Sequence, residues 1–403
     1  MLTTNQKIAN QCCDSIYLIK KSVVKLRKDL LNMERLGYCF HDDEQEFIMV
    51  VTFIQYQFLY IDHFLRKNFL DHYPQIKFPL ETIIKHFYDH EYKELKKILR
   101  DLITKIDSLF LIVKIIPRNL YSGKRDYEQI NRISALCFEK KNQTIFLDFQ
   151  NVKWIDGDLV APIEGIFKVL ERNNNSLWIC NVNNPFVENL LRGNKFLLKY
   201  GYKKPQGVTA STIIPLVTYE LNQAKEFAKF LDHLFSEPIF ISLPSNYSEL
   251  MQFVLNETFH NSYYHSQSLT GIQFCGQWFK TKEILKVSIS DQGIGYKGSV
   301  NNYLNRNWTA LKCIQWAMED KTTTRRGGTP GGLGNMLIRK YIKQHRGQLT
   351  VISSDGMWHQ NPEGKVHSCS LNNSYPGTIV TLEFFLSDER PTFNNFFTRR
   401  IDE

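Results

Sequence analysis

The chain has no Cys-x-x-Cys pair among its eight cysteines, no zinc-ligand spacing, no internal repeat and no low-complexity tract. A zinc-finger, collagen-like, mucin-like or mainly disordered protein is thereby excluded. Thiols without a framework spacing read as reduced and mostly buried, which points to the cytoplasm. Apolar patches are short: residues 109–116, among the longest, fall far below the ~20 needed to span a bilayer. The first 21 residues contain Asn, Gln, Asp and two Cys where a signal peptide would be continuously apolar, so none is expected. No long run of one charge sign occurs either. The 50 Lys and Arg are interleaved with 41 Asp and Glu, giving a net charge of +9 that permits an anionic partner without demanding one. Nucleic-acid binding is not excluded on charge; membrane association is not expected.

What is present is a folded composition, 43% hydrophobic and 13% aromatic, over 403 residues. That length exceeds one ordinary core and predicts two or three domains. Residues 1–118 read as a helical domain. Ile16, Ile19, Val23, Leu26, Leu30 and Met33 are spaced 3-4-3-4-3, which lines one helix face, and further helices are predicted over 46–69 and 80–116. A bundle packing on itself is the plain reading; a dimer-forming coil is its alternative, and would make the protein a homodimer. Pro117 and the polar segment 119–132 mark a boundary.

Residues 119–220 alternate strand-like and helical patterns: strands at 143–149, 176–182 and 208–219, helices at 159–172 and 186–196. Such alternation predicts an α/β layer with a partly parallel sheet. Residues 221–403 form the third domain. Helices are predicted at 222–235, 246–265, 308–319 and 333–345, and strands at 238–243, 271–278, 284–290, 348–354 and 378–386. Asn246 and Glu249 make a capping-box-like start to the second of these helices.

Three elements of this last domain carry chemistry together. In Asn256-Glu257-Thr258-Phe259-His260-Asn261, Glu257 and Asn261 lie four apart and project from one helical face. A carboxylate accepts a proton from water or a hydroxyl, and a carboxamide oxygen is a hard neutral ligand for a phosphate-bound Mg²⁺. In the second, a strand ends in Asp291-Gln292-Gly293-Ile294-Gly295: the carboxylate can accept from an exocyclic amine, and the glycines let backbone pass a flat ring. The third, Gly327-Gly328-Thr329-Pro330-Gly331-Gly332-Leu333-Gly334, opens into a helix. Exposed backbone N–H groups and the helix dipole make an anion site there. Its order is neither that of a Walker P-loop nor of a dinucleotide fingerprint. Taken singly, a solvated helix face, a strand-end turn and a linker explain these segments as well.

In order and spacing the three resemble the N box and the two glycine boxes of the GHKL ATPase superfamily, which includes gyrase, heat-shock chaperones, histidine kinases and mismatch-repair ATPases. The Glu257–Asn261–His265 spacing resembles the bacterial anti-sigma-factor serine kinases most. Gly377-Thr378 resembles the terminal Gly-Thr element, so the likeness covers about 221–386. The resemblance implies an α/β (α+β) sandwich of the Bergerat type holding ATP and Mg²⁺. Asn261 would hold the metal, Asp291 with Gly293 and Gly295 would read adenine, and Gly331, Gly332, Leu333 and Gly334 would cradle phosphates. Thr378 would assist at the base. Residues 320–330, with Lys321, Thr322, Thr323, Thr324, Arg325 and Arg326, would form a lid whose Thr324 and Arg325 touch nucleotide. Glu257 would be the catalytic base, as in hydrolases and serine kinases of the group. Sensor histidine kinases usually lack a carboxylate there, and His41, beside Asp42 and Asp43, lacks the expected following residues of a phosphoacceptor. His260 and His265 read as packing or hydrogen-bonding residues.

A second resemblance covers the middle layer. Residues 144–156, the following helix and strand, and residues 185–196 are similar to a STAS domain, found in the protein partners of anti-sigma kinases. Asp158 stands near the position of the phosphorylatable Ser of that family. Phosphorylation of this turn is therefore not expected; Asp158 either imitates a phosphorylated residue or caps the helix. The expectation is a bacterial ATPase that switches conformation or partner assembly, with a protein partner docking on the STAS-like or helical domain. A serine/threonine kinase and a non-hydrolysing nucleotide-gated adaptor are the alternatives.

Overall fold

The apolar stripe of the first helix decides where the N-terminal region sits: Ile16, Ile19, Val23, Leu26 and Leu30 are all buried, each worth about 1.5–3 kcal/mol relative to exposure. The computed structural model describes residues 4–36, 43–68, 78–204, 212–237, 245–320, 322–324 and 334–386. Helices α1 (Thr4–Leu36), α2 (Asp43–Asn68), α3 (Leu80–Tyr88) and α4 (Tyr92–Leu109) open the chain. Their cores meet through Phe47, Val51 and Ile54 of α2, Ile83 of α3, and Leu95, Leu99, Leu102 and Ile106 of α4. By length and composition α2 is long and apolar enough over Gln45–Asn68 to cross a membrane. Run length hid this, because Gln55 and Gln57 interrupt the apolar residues.

The predicted helix over 80–116 ends early. Phe110–Lys114 is strand β1, parallel to β3 (Thr144–Asp148), which pairs in parallel with β5 (Ser176–Cys180). A parallel strand is covered on both faces, so it reads as a continuous apolar run with no period of two. Phe110 and Ile112 face the helices α1–α4, while Leu111 and Val113 face the opposite way. The α1–α4 group thus packs on a sheet as well as on itself. Between these strands lie β2 (Asn119–Leu120), α5 (Lys124–Cys137), β4 (Trp154–Ile155), a single tight turn Gly157–Leu159, and α6 (Val160–Arg172). The polar segment 119–132 is therefore largely helix where a boundary was expected. α7 (Pro185–Gly193), capped by Asn184 Oδ1 accepting from Phe186 N and Val187 N, and α8 (Phe196–Lys199) follow.

The C-terminal part holds β6 (Ile213–Tyr219), α9 (Ala224–Phe235), α10 (Ser245–His265), β7 (Ile272–Phe279), β8 (Ile284–Asp291), α11 (Gly295–Leu304), α12 (Ala310–Ala317), α13 (Gly334–Gln344), β9 (Gln348–Gln360) and β10 (Val366–Phe385). The expected strand at 238–243 and the side chain of Asn246 lie outside the described residues. Strand order is β6-β7-β8-β10-β9, every pair antiparallel. β6 was expected in the middle layer; its pairing with β7 makes it the edge of this second sheet instead.

Side-chain alternation gives the second sheet two unlike faces. Phe274, Val287, Ile289, Val351, Val380 and Leu382 point to α9, α10 and α13. Lys286, Ser288, Ser290 and Thr381 alternate with them on the other face, and are buried there beneath α5, α6 and the 157–159 turn. The order of layers is α1–α4, parallel sheet, α5 and α6, antiparallel sheet, and α9, α10 and α13. The protein is a mixed α/β molecule with an N-terminal helical region.

Candidate functional site

A cleft of about 380 Å³ lies on the front face of the antiparallel sheet, between α10, α11, α12 and α13. Glu257 and Asn261 come from α10, Asp291 from the end of β8, Gly295 and Tyr296 from the start of α11. Thr324, Gly334, Asn335 and Thr378 also line it. Thr378 faces Asp291 across the β8–β10 pair. The size fits a small organic ligand.

Asp291 is 1% exposed. Its Oδ2 accepts from Ser262 Oγ at 2.9 Å and its Oδ1 from Gly293 N at 3.1 Å. Burial pushes its carboxyl up to about 6, against the lowering influence of the donors Ser262, Gly293 and Thr378. Gly293 has no room for a side chain: a Cβ would fall on the carbonyl of Ser266, which accepts from Ile294 N at 2.7 Å. Gly295 sits at φ +61° with Ser353 Oγ and the Gly377 carbonyl where a Cβ would stand, so a larger residue there is both strained and crowded. These two glycines hold the turn after β8 in the shape that keeps Asp291 at the cleft.

The Asn261 amide donates from Nδ2 to Asn335 Oδ1 at 3.1 Å, and Asn335 Nδ2 donates to the Ala317 carbonyl at 2.9 Å. This fixes Asn261 against the first turn of α13. The Glu257 carboxylate lies at the same place; a Cβ on Gly334 would come within 2.8 Å of its Oε2 and 4.0 Å of Asn261 Nδ2. A carboxylate, a carboxamide oxygen and the N-terminal end of a helix therefore converge at one end of the cleft, with Asp291 and Thr378 elsewhere on its wall. At the rim, Thr324 Oγ1 shares hydrogen bonds with His265 Nδ1 at 3.2 Å and Ser299 Oγ at 3.3 Å. His260 packs against Tyr263 and Tyr264.

Of the residues singled out from sequence, Glu257, Asn261, Asp291, Gly295, Thr324, Gly334 and Thr378 line this one cleft, and Gly293 shapes it. Arg325, Gly331, Gly332 and Leu333, with Lys321 and Arg326, lie outside the described residues. The sequence reading passed over Ser262, Tyr296 and Asn335. Tyr296 opens α11, a helix hidden in what read as a glycine-rich corner, and burial pushes its hydroxyl up to about 12. Ser262 and Asn335 each adjoin a residue that was singled out, which was the available signal.

Asp158 stands far from solvent, at 0% exposure. Its Oδ2 accepts from Ser122 Oγ at 2.7 Å and more distantly from Ser288 Oγ at 3.4 Å. No side-chain cap is made at this turn or at the start of α6, so the capping role does not hold.

Among the described residues no group of three or more His, Cys, Asp or Glu could hold a metal ion. A divalent cation here would need oxygens from its own ligand beside Asn261, a set that suits Mg²⁺ bound chiefly to phosphates. No family model, curated protein or solved structure matches this chain.

Proposed function

We propose that the chain is a GHKL-type ATPase in which nucleotide binding and slow hydrolysis switch conformation or partner assembly. The observation that carries this reading is the gathering of Glu257, Asn261, Asp291, Gly334 and Thr378 around one cleft from four separate elements. Asp291 has its two oxygens aligned by Ser262 and Gly293 and retains lone pairs for one further donor, which suits the exocyclic amine of adenine. Phosphates would lie toward the N-terminal end of α13, where the first-turn backbone N–H groups and the helix dipole favour anions. Bound Mg²⁺ would neutralise phosphate charge there, with Asn261 as its protein ligand. Glu257 would accept the proton of the attacking water. The antiparallel sheet with helices on its front face supports a Bergerat-type sandwich, and the parallel sheet behind it is read as the STAS-like layer.

The deciding experiment is release of inorganic phosphate from radiolabelled ATP by the full chain, with Mg²⁺ and with chelator. Turnover that requires Mg²⁺ and disappears in Glu257→Gln supports the reading. Label transferred to a protein in place of free phosphate would make the chain a kinase. Wild-type-like ATP binding by both Asn261→Ala and Asp291→Asn would remove the site assignment.

A further inference from the structure

Helix α2 carries two apolar stripes. Phe47, Val51, Ile54, Phe58, Ile61 and Leu65 are buried in the N-terminal core. Met49, Phe53 and Tyr56, at 66, 40 and 54% exposure, face the other way together with the half-buried Tyr60. The spacing 49, 53, 56, 60 is 4-3-4, and at ~100° per residue these side chains fall within an arc of about 60°. The rings of Tyr56 and Tyr60 meet edge to face at 5.4 Å, with their hydroxyls 3.0 Å apart. An ordered aromatic pair beside Met and Phe is the composition that interface centres favour.

The ends of the stripe differ in charge. Asp43-Glu44-Gln45-Glu46 begins the helix and Arg66 and Lys67 end it, with Glu46 and Lys67 on the exposed side. A surface acidic at one end and basic at the other complements itself when two copies run antiparallel about a two-fold axis.

We propose that two copies of this chain pair through this stripe, α2 against α2, antiparallel. The axis then passes between Phe53 and Tyr56. Phe53 of each copy packs on Tyr56 of the other, Met49 on Tyr60, and Glu46 lies beside His63, one helical turn from Lys67. The neighbouring positions Gln45, Thr52, Gln55 and His63 are exposed and polar, and with the exposed Leu59 among them they form the rim. The inference is independent of the nucleotide reading, since no residue of the cleft takes part.

The test is the solution mass of the full chain by sedimentation equilibrium without nucleotide. Wild type should sediment at twice the chain mass. Phe53→Glu/Tyr56→Glu should halve that mass at equal concentration while keeping the wild-type circular dichroism. His63→Glu, opposite Glu46 across the axis, should weaken pairing, and Glu46→Lys added to it should restore it. Glu46 also pairs with the exposed Lys25 at 2.5 Å, and that contact is lost in the double variant, so the rescue reports the contact between copies. A monomeric wild type, or a dimer that survives Phe53→Glu/Tyr56→Glu, overturns the proposal. So does a monomer that cosediments with phosphatidylcholine vesicles through Phe53, which would make the stripe a membrane face.

Discussion

Ser262 Oγ donates to Asp291 Oδ2 at 2.9 Å, so α10, which carries Glu257 and Asn261, is tied directly to the tip of β8. The two halves of the cleft are held in register by a bond between residues 29 positions apart in the chain.

Because burial raises Asp291 to about 6, its ability to accept from an adenine amine should fail in mild acid. The carboxylate is present above that value and lost below it. ATP affinity should fall about tenfold per pH unit once pH drops below the raised value. Asp291→Asn should bind weakly, with a flat profile and little preference for ATP over GTP. Calorimetric titrations at pH 5, 6 and 7.5 check both.

Glu257→Gln keeps the shape of the side chain and removes its basicity. Turnover should drop on the order of 100- to 10,000-fold while ATP affinity stays near wild type. Parallel loss of affinity would assign Glu257 to binding.

Gln292, adjoining Asp291, turns toward the back layer. Its Nε2 donates to Tyr375 Oη at 2.8 Å and its Oε1 accepts from Thr270 Oγ1 at 2.7 Å, against Gly165 of α6. A Cβ on Gly165 would occupy the place of the Gln292 amide. Gly165→Val should therefore cost about 1–3 kcal/mol and weaken nucleotide binding by moving the 291–293 turn. Adding Gln292→Ala should recover part of the stability, a coupling that a double-mutant cycle in urea measures.

Lys286 lies between the layers, 3.0 Å from Asp156 Oδ2 and 3.1 Å from Glu383 Oε1. Burial opposes its charge, but Asp158, Glu383 and Asp156 hold it protonated. Lys286→Met leaves those carboxylates buried without a cation and should cost about 3–5 kcal/mol. Asp158 is pushed up to about 7, first by burial. A raised acid stabilises the fold while protonated and loses that contribution as pH climbs through its folded value. Wild type should thus lose stability between about pH 4 and pH 7 and level off above, a slope that Asp158→Asn should flatten, as thermal melts would show.

Where one face of an element is apolar, the sequence reads well: the α1 stripe, the helix ending at His265 and the strand ending at Asp291 appear near their predicted bounds. Two of the elements that escaped did so for opposite reasons. β1 is buried on both faces, and its unbroken Phe110–Val113 run passed for helix. α5 buries Asp126, which accepts from Tyr121 N and Gly123 N at the helix start, and also Gln129, Asn131 and Ser134, and it meets the polar back face of a sheet: Tyr127 Oη donates to Thr381 Oγ1 at 2.7 Å, and Asn131 Nδ2 to the Asn373 carbonyl at 2.7 Å. Its apolar stripe Tyr127, Ile130, Ile133 and Cys137 is interleaved with these buried polar residues and does not stand out in the sequence. In the cleft, residue types with a distinct chemistry could be picked out, whereas the serine and asparagine that orient them look like any others.

The helices α5 and α6 sit between two sheets and share one hydrophobic cluster with residues of the antiparallel sheet such as Cys275, Ile352 and Ile379. No hinge can free the central slab without exposing that common interior. Melting should accordingly take both sheets down together, and a protease should not release the middle third of the chain as a folded fragment.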